Sequence, residues 1–99
     1  MIRKYFRYYR ENFRPRGCVV AIVDDVDETI RTGWSLFNKN HETRSFTKKM
    51  ARLIAEGRAM VPFRGNGIPP VLLHLQQELY EDCVRRVERH ESTHPNNNN

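Results

Sequence analysis

A continuous apolar run at residues 18–23 constrains the fold more than any other segment of this chain. It reads Cys-Val-Val-Ala-Ile-Val, and β-branched side chains dominate it. This composition is typical of a strand that is covered on both faces. An acidic turn follows at 24–28, and residues 29–37 then alternate apolar and polar side chains. The two segments predict an antiparallel hairpin whose second strand is half exposed.

Two shorter segments are expected to be helical. In residues 2–13, aromatic side chains recur at helical spacing with arginines opposite them, which favours an amphipathic helix. A strand is the alternative there, because Tyr and Phe favour strands. Residues 45–58 predict a second helix, with Ser45 or Thr43 as its N-cap. Its expected buried stripe consists of Phe46, Met50, Leu53, Ile54 and Gly57.

The C-terminal third predicts the longest element. Residues 71–89 follow a helical pattern, and Pro69 and Pro70 suit its first turn. Residues 59–63 suit a brief third strand, and 64–70 a turn. The fold class is therefore α+β, a small antiparallel sheet with helices on one face, in the order α-β-β-α-(β)-α. We expect one domain over residues 1–90 and a disordered polar tail at 91–99.

Composition excludes several classes of protein. With 99 residues, of which 38% are hydrophobic, the chain suits a single packed domain. No apolar run approaches the roughly 20 residues of a membrane helix, and no signal peptide is recognisable. Cys18 and Cys83 do not pair like a disulfide scaffold or a zinc site. We interpret both as reduced, buried thiols of a cytosolic protein.

One stretch of the chain matches a known pattern. A strand ends in Gly-Trp-Ser-Leu at residues 33–36, and a helix then carries Phe46, Lys48-Lys49, Ile54-Ala55 and Gly57-Arg58-Ala59. This stretch resembles a family of small, mostly uncharacterised proteins of tailed bacteriophages. The loop after Asn38 is longer than in that family, and Ala51 replaces a frequent glycine. The resemblance implies a phage origin and action in the host cytoplasm, but no mechanism.

The distribution of charge indicates a polyanion partner. The net charge is +5, and basic blocks at 1–16 and 39–64 alternate with acidic ones. If the basic blocks meet in space, they form a positive face. The residues expected to contact phosphates lie on the central helix and the N-terminal segment, where one tyrosine is placed to stack on bases. They are Arg44, Lys48, Lys49, Arg52, Arg3, Arg7, Arg10 and, for stacking, Tyr8.

No catalytic, metal-binding or cofactor site is predicted. The acids at 24–28 lack the ligand ladder of a Ca²⁺ loop and suit a solvated turn. His90 and His94 have the spacing of a zinc pair, but Pro95 and the asparagines after it oppose a helix there. Cys18 could be drawn as a nucleophile with His41 or His74, but an apolar strand raises a thiol pKa.

Two functions remain open at this stage. The first is a nucleic-acid-binding accessory protein that contacts the phosphates of DNA or RNA without catalysis. The alternative is an interaction module that binds an acidic surface of a host enzyme and inhibits or redirects it. In that alternative, Trp34 and Arg58 contribute to the partner surface. A homodimer through the long C-terminal helix is compatible with both.

Overall fold

The computed structural model describes residues 1–37, 47–61 and 67–93. The elements follow the order β-β-β-α-α, so the α+β class is confirmed and the predicted order is wrong. Their bounds are β1 Ile2–Glu11, β2 Arg14–Asp24, β3 Thr29–Leu36, α1 Lys48–Met60 and α2 Pro70–Thr93. The strands form one antiparallel sheet with β2 in its centre.

The N-terminal segment is a strand, which corrects the favoured prediction of a helix. β1 pairs with β2 along its whole length, with one register shift between Tyr9 and Arg10. A strand places Tyr5 and Tyr9 on one face of the sheet and Phe6 and Tyr8 on the other, where both pairs reach apolar clusters. A helix would bury a single stripe and leave part of this aromatic surface in water.

A tight turn joins β1 to β2 where the sequence predicted the end of a helix. Asn12 and Phe13 both adopt positive φ angles, 52° and 67°, as the two-residue turns of tight hairpins require. Asn tolerates this conformation well, whereas Phe13 adopts it with its side chain almost fully exposed. Asn12 therefore turns the chain between two strands instead of ending a helix.

The apolar run is the core of the sheet. Every residue from 18 to 23 is buried. Cys18, Val20 and Ile22 lie on the side of α1, whereas alternate residues at 19, 21 and 23 lie on the side of α2. The prediction of a strand covered on both faces is confirmed. The prediction of helices on one face is wrong, since α1 and α2 pack on opposite faces.

β3 completes the predicted hairpin, and Arg31 on its polar side is exposed, but two other residues of that side are not. Gly33 and Ser35 are buried under α1. The Ser35 hydroxyl donates a hydrogen bond of 2.9 Å to the carbonyl oxygen of Ala51. A Cβ atom built on Gly33 would lie 2.6 Å from the backbone nitrogen of Ala59. The helix therefore approaches the sheet backbone so closely that only small residues fit between them.

This close approach determines which side of α1 is buried. The buried residues are Ala51, Ala55 and Ala59, one per turn. In the stripe predicted from the sequence, Met50, Leu53 and Ile54 are exposed instead, and Phe46 lies outside the described residues. Large side chains could not enter the narrow space above Gly33, so the alanines occupy it.

The ends of α1 differ from the prediction as well. Thr47 is the N-cap, and its hydroxyl accepts a hydrogen bond of 3.2 Å from the backbone N–H of Met50. The proposed caps Thr43 and Ser45 lie outside the described residues. The helix continues to Met60, so the start of the proposed third strand at 59–63 is helical, and 62–63 lie outside the description.

α2 covers the other face of the sheet. Leu72, Leu79 and Cys83 are fully buried against it. The helix begins at Pro70 as expected and runs to Thr93, beyond the predicted end at residue 89. Among the described residues, neither helix is apolar enough over a sufficient length to cross a bilayer. The tail beyond residue 93 lies outside the described chain.

The contact between α1 and β3 yields a matched pair of variants. Gly33→Ala should lower the free energy of unfolding by about 2–3 kcal/mol, because its Cβ meets backbone atoms that cannot move independently. Gly57→Ala should raise it by up to about 1 kcal/mol, since nothing lies near the added Cβ and Ala favours helices. Urea unfolding followed by the fluorescence of the single tryptophan measures both. Equal effects of the two variants would contradict the packing described.

Candidate functional site

Side chains of α1 contact side chains of β1 in a regular ladder of pairs. The Lys48 ammonium lies 4.9 Å from the centroid of the Tyr8 ring. One turn later, the Arg52 guanidinium lies 5.4 Å from the Phe6 ring centroid. A further turn on, Glu56 pairs with Lys4 at 3.4 Å. The ladder fits because four helical residues rise about 6 Å, close to the span of two strand residues.

The opposite face of β1 is held in the same way by α2. The Arg86 guanidinium lies 4.8 Å from the Tyr5 ring centroid, and Arg7 pairs with Asp82 at 2.7 Å. Arg7 and Arg85 both donate hydrogen bonds to Asp82, and together they lower the pKa of its carboxyl group. Three aromatic residues of this edge strand, Tyr5, Phe6 and Tyr8, are thus covered by cations. Lys4 and Arg7 of the same strand are paired with carboxylates.

The basic residues of β1 are therefore not gathered beside those of α1. Arg3 and Arg7 lie on the α2 side of the sheet, and their partners are Asp25, at 3.7 Å, and Asp82. Lys4 lies on the α1 side but pairs with Glu56. Arg10 is exposed beyond the register shift. Of the β1 residues proposed to bind nucleic acid, only Tyr8 adjoins the cations of α1.

The cations at the start of α1 have a different environment. Lys48, Lys49 and Arg52 are exposed, and within the described ranges no carboxylate forms an ion pair with them. The first turn of α1 carries no acidic residue. We call these three residues the basic flank of α1. Arg44, the fourth cation expected here, lies outside the described residues.

Tyr8 is half-buried beside the basic flank. Burial raises the pKa of its phenol, and Cys18 beneath it adds to the effect, while Arg52 opposes it. The phenol is therefore neutral at physiological pH and can donate as well as accept a hydrogen bond. Since Lys48 lies over the ring, a stacked base would share the ring with that cation or displace it.

The structure brings together the two residues proposed for a protein partner. Arg58 lies 4.1 Å above the Trp34 ring and donates a hydrogen bond of 3.0 Å to the Trp34 carbonyl. Trp34 is half-buried and packs in the cluster on the α2 side. These contacts tie α1 to the outer edge of β3, so both residues have a structural role.

Sequence reasoning missed the most exposed apolar surface of α1. Five large side chains point away from the sheet, with exposed fractions between 41% and 61%. They lie at positions 50, 53, 54 and 60 of the helix and at its C-cap, Val61, with Gly57 between them. We call this surface the apolar stripe of α1. The sequence contains a signal for this arrangement. Alanines recur at every fourth residue of the helix, so they form a second side that the helix could bury.

The remaining candidates show no reactive geometry. Asp24 accepts hydrogen bonds of 2.9 and 3.2 Å from the backbone N–H groups of Val26 and Asp27, which makes it a turn cap. No three potential ligands from His, Cys, Asp or Glu cluster within the described part of the chain. His74 pairs with Glu78 on the surface of α2, whereas His41 and His94 lie outside the described residues.

One cavity, of about 220 Å³, lies beside the turn between β2 and β3. Its wall includes Arg3 and Asp25, which pair with each other, and Arg86, which lies over Tyr5. The volume is below the roughly 300 Å³ of typical ligand pockets. Arg3, Asp25 and Arg86 are thus already engaged, and Asp24 in the same wall accepts two backbone hydrogen bonds of the turn.

Comparison with known proteins gives no match to this chain, whether to family models, curated proteins or solved structures.

Both thiols should be unreactive in the folded protein. Burial raises the pKa of Cys18 to about 11 and also raises that of Cys83. At neutral pH, a thiol reagent should label neither cysteine until urea is added. A raised pKa favours the protonated thiol in the folded state, so the stability due to Cys18 should be lost as the pH rises from 9 to 11.

The variant Cys18→Ala tests this effect, because it removes the Cys18 thiol and leaves Cys83 in both proteins. Its free energy of unfolding should decline less steeply than that of the wild type over the same pH range. Rapid labelling of the native protein, or identical slopes for both proteins, would show that Cys18 is accessible.

Proposed function

We propose that this protein binds nucleic acid through the basic flank of α1 and performs no chemical step. The main supporting observation is that Lys48 and Arg52 are held over aromatic rings of β1, and that no carboxylate of the described residues forms an ion pair with either. Lys49 extends the same positive surface toward solvent. As the family resemblance implies, we place this activity in the cytoplasm of a bacterial host.

An aromatic ring positions a cation without cancelling its charge. The ring face attracts the ammonium or guanidinium group but offers it no conventional acceptor. Most N–H donors therefore remain available for phosphate oxygens, and a side chain that is already ordered loses less entropy on binding. Carboxylate partners have the opposite effect, which is why Arg3 and Arg7 contribute little to this proposal.

The position of the basic flank on α1 supports the same function. Lysines in a first turn oppose the helix dipole, at a cost of about 0.3–1 kcal/mol each at exposed sites. Lys48 and Lys49 occupy this unfavourable place with no acidic residue in the turn. An incoming phosphate would meet both the side-chain charges and the positive end of the helix.

The contacts predict charge-based recognition of modest affinity. Three phosphate contacts on a single strand give a slope of about −2 in a plot of log K against log salt concentration. Binding should therefore weaken about twentyfold between about 50 and about 200 mM salt. Phe6 and Tyr8 add sequence-tolerant contacts with bases if they stack.

Fluorescence anisotropy with labelled oligo(dT) and oligo(U) of about 20 nucleotides tests the proposal. Lys49→Gln and Arg52→Gln should each weaken binding about fivefold at about 0.1 M salt, since each removes one phosphate contact. Arg85→Gln is the matched control, because it makes the same change of charge on α2, where Arg85 pairs with Asp82. It should leave binding unchanged.

Two results would contradict nucleic-acid binding at this surface. One is the absence of salt-dependent binding to either oligonucleotide. The other is an equal loss of affinity in Arg85→Gln and Lys49→Gln, which would indicate attraction by net charge alone.

The alternative function, binding an acidic surface of a host enzyme, is favoured by one observation. The apolar stripe lies next to the basic flank, and exposed apolar patches bordered by charges are common at protein interfaces. Recovery of one host protein after nuclease treatment, by a protein that fails to bind either oligonucleotide, would support this alternative over the first proposal.

A further inference from the structure

Nothing in the described part of the chain covers the apolar stripe. α1 buries its alanines against the sheet, yet it carries large apolar side chains on its outer side. A single amphipathic helix on a protein surface normally exposes polar residues there. Met50, Leu53 and Met60 each leave about half of their surface in water, with exposed fractions of 48%, 55% and 52%.

The stripe has the form of a helix-packing surface. Its residues recur at intervals of three and four from position 50 to 61, a length of about 17 Å along the helix. Gly57 lies within this interval, and nothing is within 4 Å of a Cβ built on it. The glycine leaves a notch into which a side chain of a facing helix fits.

We propose that a second copy of this chain covers the stripe, with the two α1 helices packed antiparallel across a two-fold axis. An isologous contact requires a surface that complements itself. The stripe meets this condition because it contains no charged residue and therefore needs no acidic rim on its partner.

Charge complementarity favours the antiparallel arrangement. Lys48 and Lys49 stand at the positive end of their own helix dipole, and the first turn contains no acid. In an antiparallel pair, the carbonyl end of the facing helix lies beside these lysines. The basic residue of its last turn, Arg58, is held over Trp34, so the carbonyl end attracts the lysines. A parallel pair would instead place the lysines of both copies side by side.

The area of the stripe predicts a weak dimer. Its exposed side chains amount to on the order of 450 Å², within the range of the largest apolar patch on a monomer. Two copies with their helix borders would bury about 1,000 Å² in total, near the lower limit for a specific interface. A dissociation constant in the micromolar range follows, about 1–100 μM.

The dimer also has a consequence that rests on the proposed nucleic-acid binding. A two-fold axis between antiparallel helices leaves both basic flanks on the same side of the pair. The two Lys49 residues would then be about 20 Å apart along the helix direction. One strand could contact both flanks, which doubles the salt slope to about −4.

Sedimentation equilibrium of the purified protein, without nucleic acid, tests the dimer. Wild type should dimerise with a dissociation constant below about 100 μM. Leu53→Glu should remain monomeric at protein concentrations up to about 1 mM. Leu73→Glu is the matched control, because Leu73 on α2 is 51% exposed and Leu53 is 55% exposed. It should dimerise like the wild type.

Gly57→Leu provides a second variant that keeps the monomer folded, since the space around Gly57 is open. It should weaken dimerisation at least tenfold by filling the notch. Arg52→Gln should dimerise normally even though it binds oligonucleotides poorly, so failure of the dimer and failure of the proposed function are distinguishable.

Three outcomes would overturn the dimer. Wild type could remain monomeric at about 1 mM, the highest concentration tested. Leu53→Glu and Leu73→Glu could weaken association equally. Leu53→Glu could also lower the free energy of unfolding of the monomer far more than Leu73→Glu does, which would show that the stripe is covered within one chain. If the wild type is monomeric and a host protein binds the stripe instead, the dimer is overturned in the same way as by the first outcome.

Discussion

The close approach of α1 to the backbone of Gly33 is the constraint on which the rest of this structure depends. Because only small side chains fit at that contact, the alanines of α1 face the sheet. Ser35 reinforces the contact with its hydrogen bond to Ala51. A helix fixed in this rotation has no freedom to bury its larger apolar residues, so they remain on its outer side.

The same rotation places the cations. With the alanines inward, Lys48 and Arg52 lie over the aromatic rings of β1. Those contacts hold an edge strand that pairs with only one neighbour, and they leave the two positive charges facing solvent. α1 thus combines three surfaces: a buried small-residue side, a basic flank suited to phosphates and an apolar stripe suited to another helix.

The sequence predicted the parts of the fold that a single pattern determines. The buried strand at 18–23, its hairpin partner and the long final helix follow from local periodicity, and all three are confirmed. β1 was misassigned because its aromatic residues satisfy both helical and strand spacing, and only pairing with β2 decides between them. The buried side of α1 was inverted because hydrophobicity favours Leu53 and Ile54, whereas the space above Gly33 admits only small side chains.

Cysteine scanning of α1 tests this orientation most directly. Single cysteines at positions 51, 53, 55 and 57 would be labelled in the native protein, with the two natural thiols buried as an internal reference. The cysteines at 53 and 57 should react nearly as fast as in urea at protein concentrations well below the dimer range. Those at 51 and 55 should be protected, because their side chains lie against the sheet. Protection at 53 with rapid labelling at 51 would contradict the account, since it would require the opposite side of the helix to face Gly33.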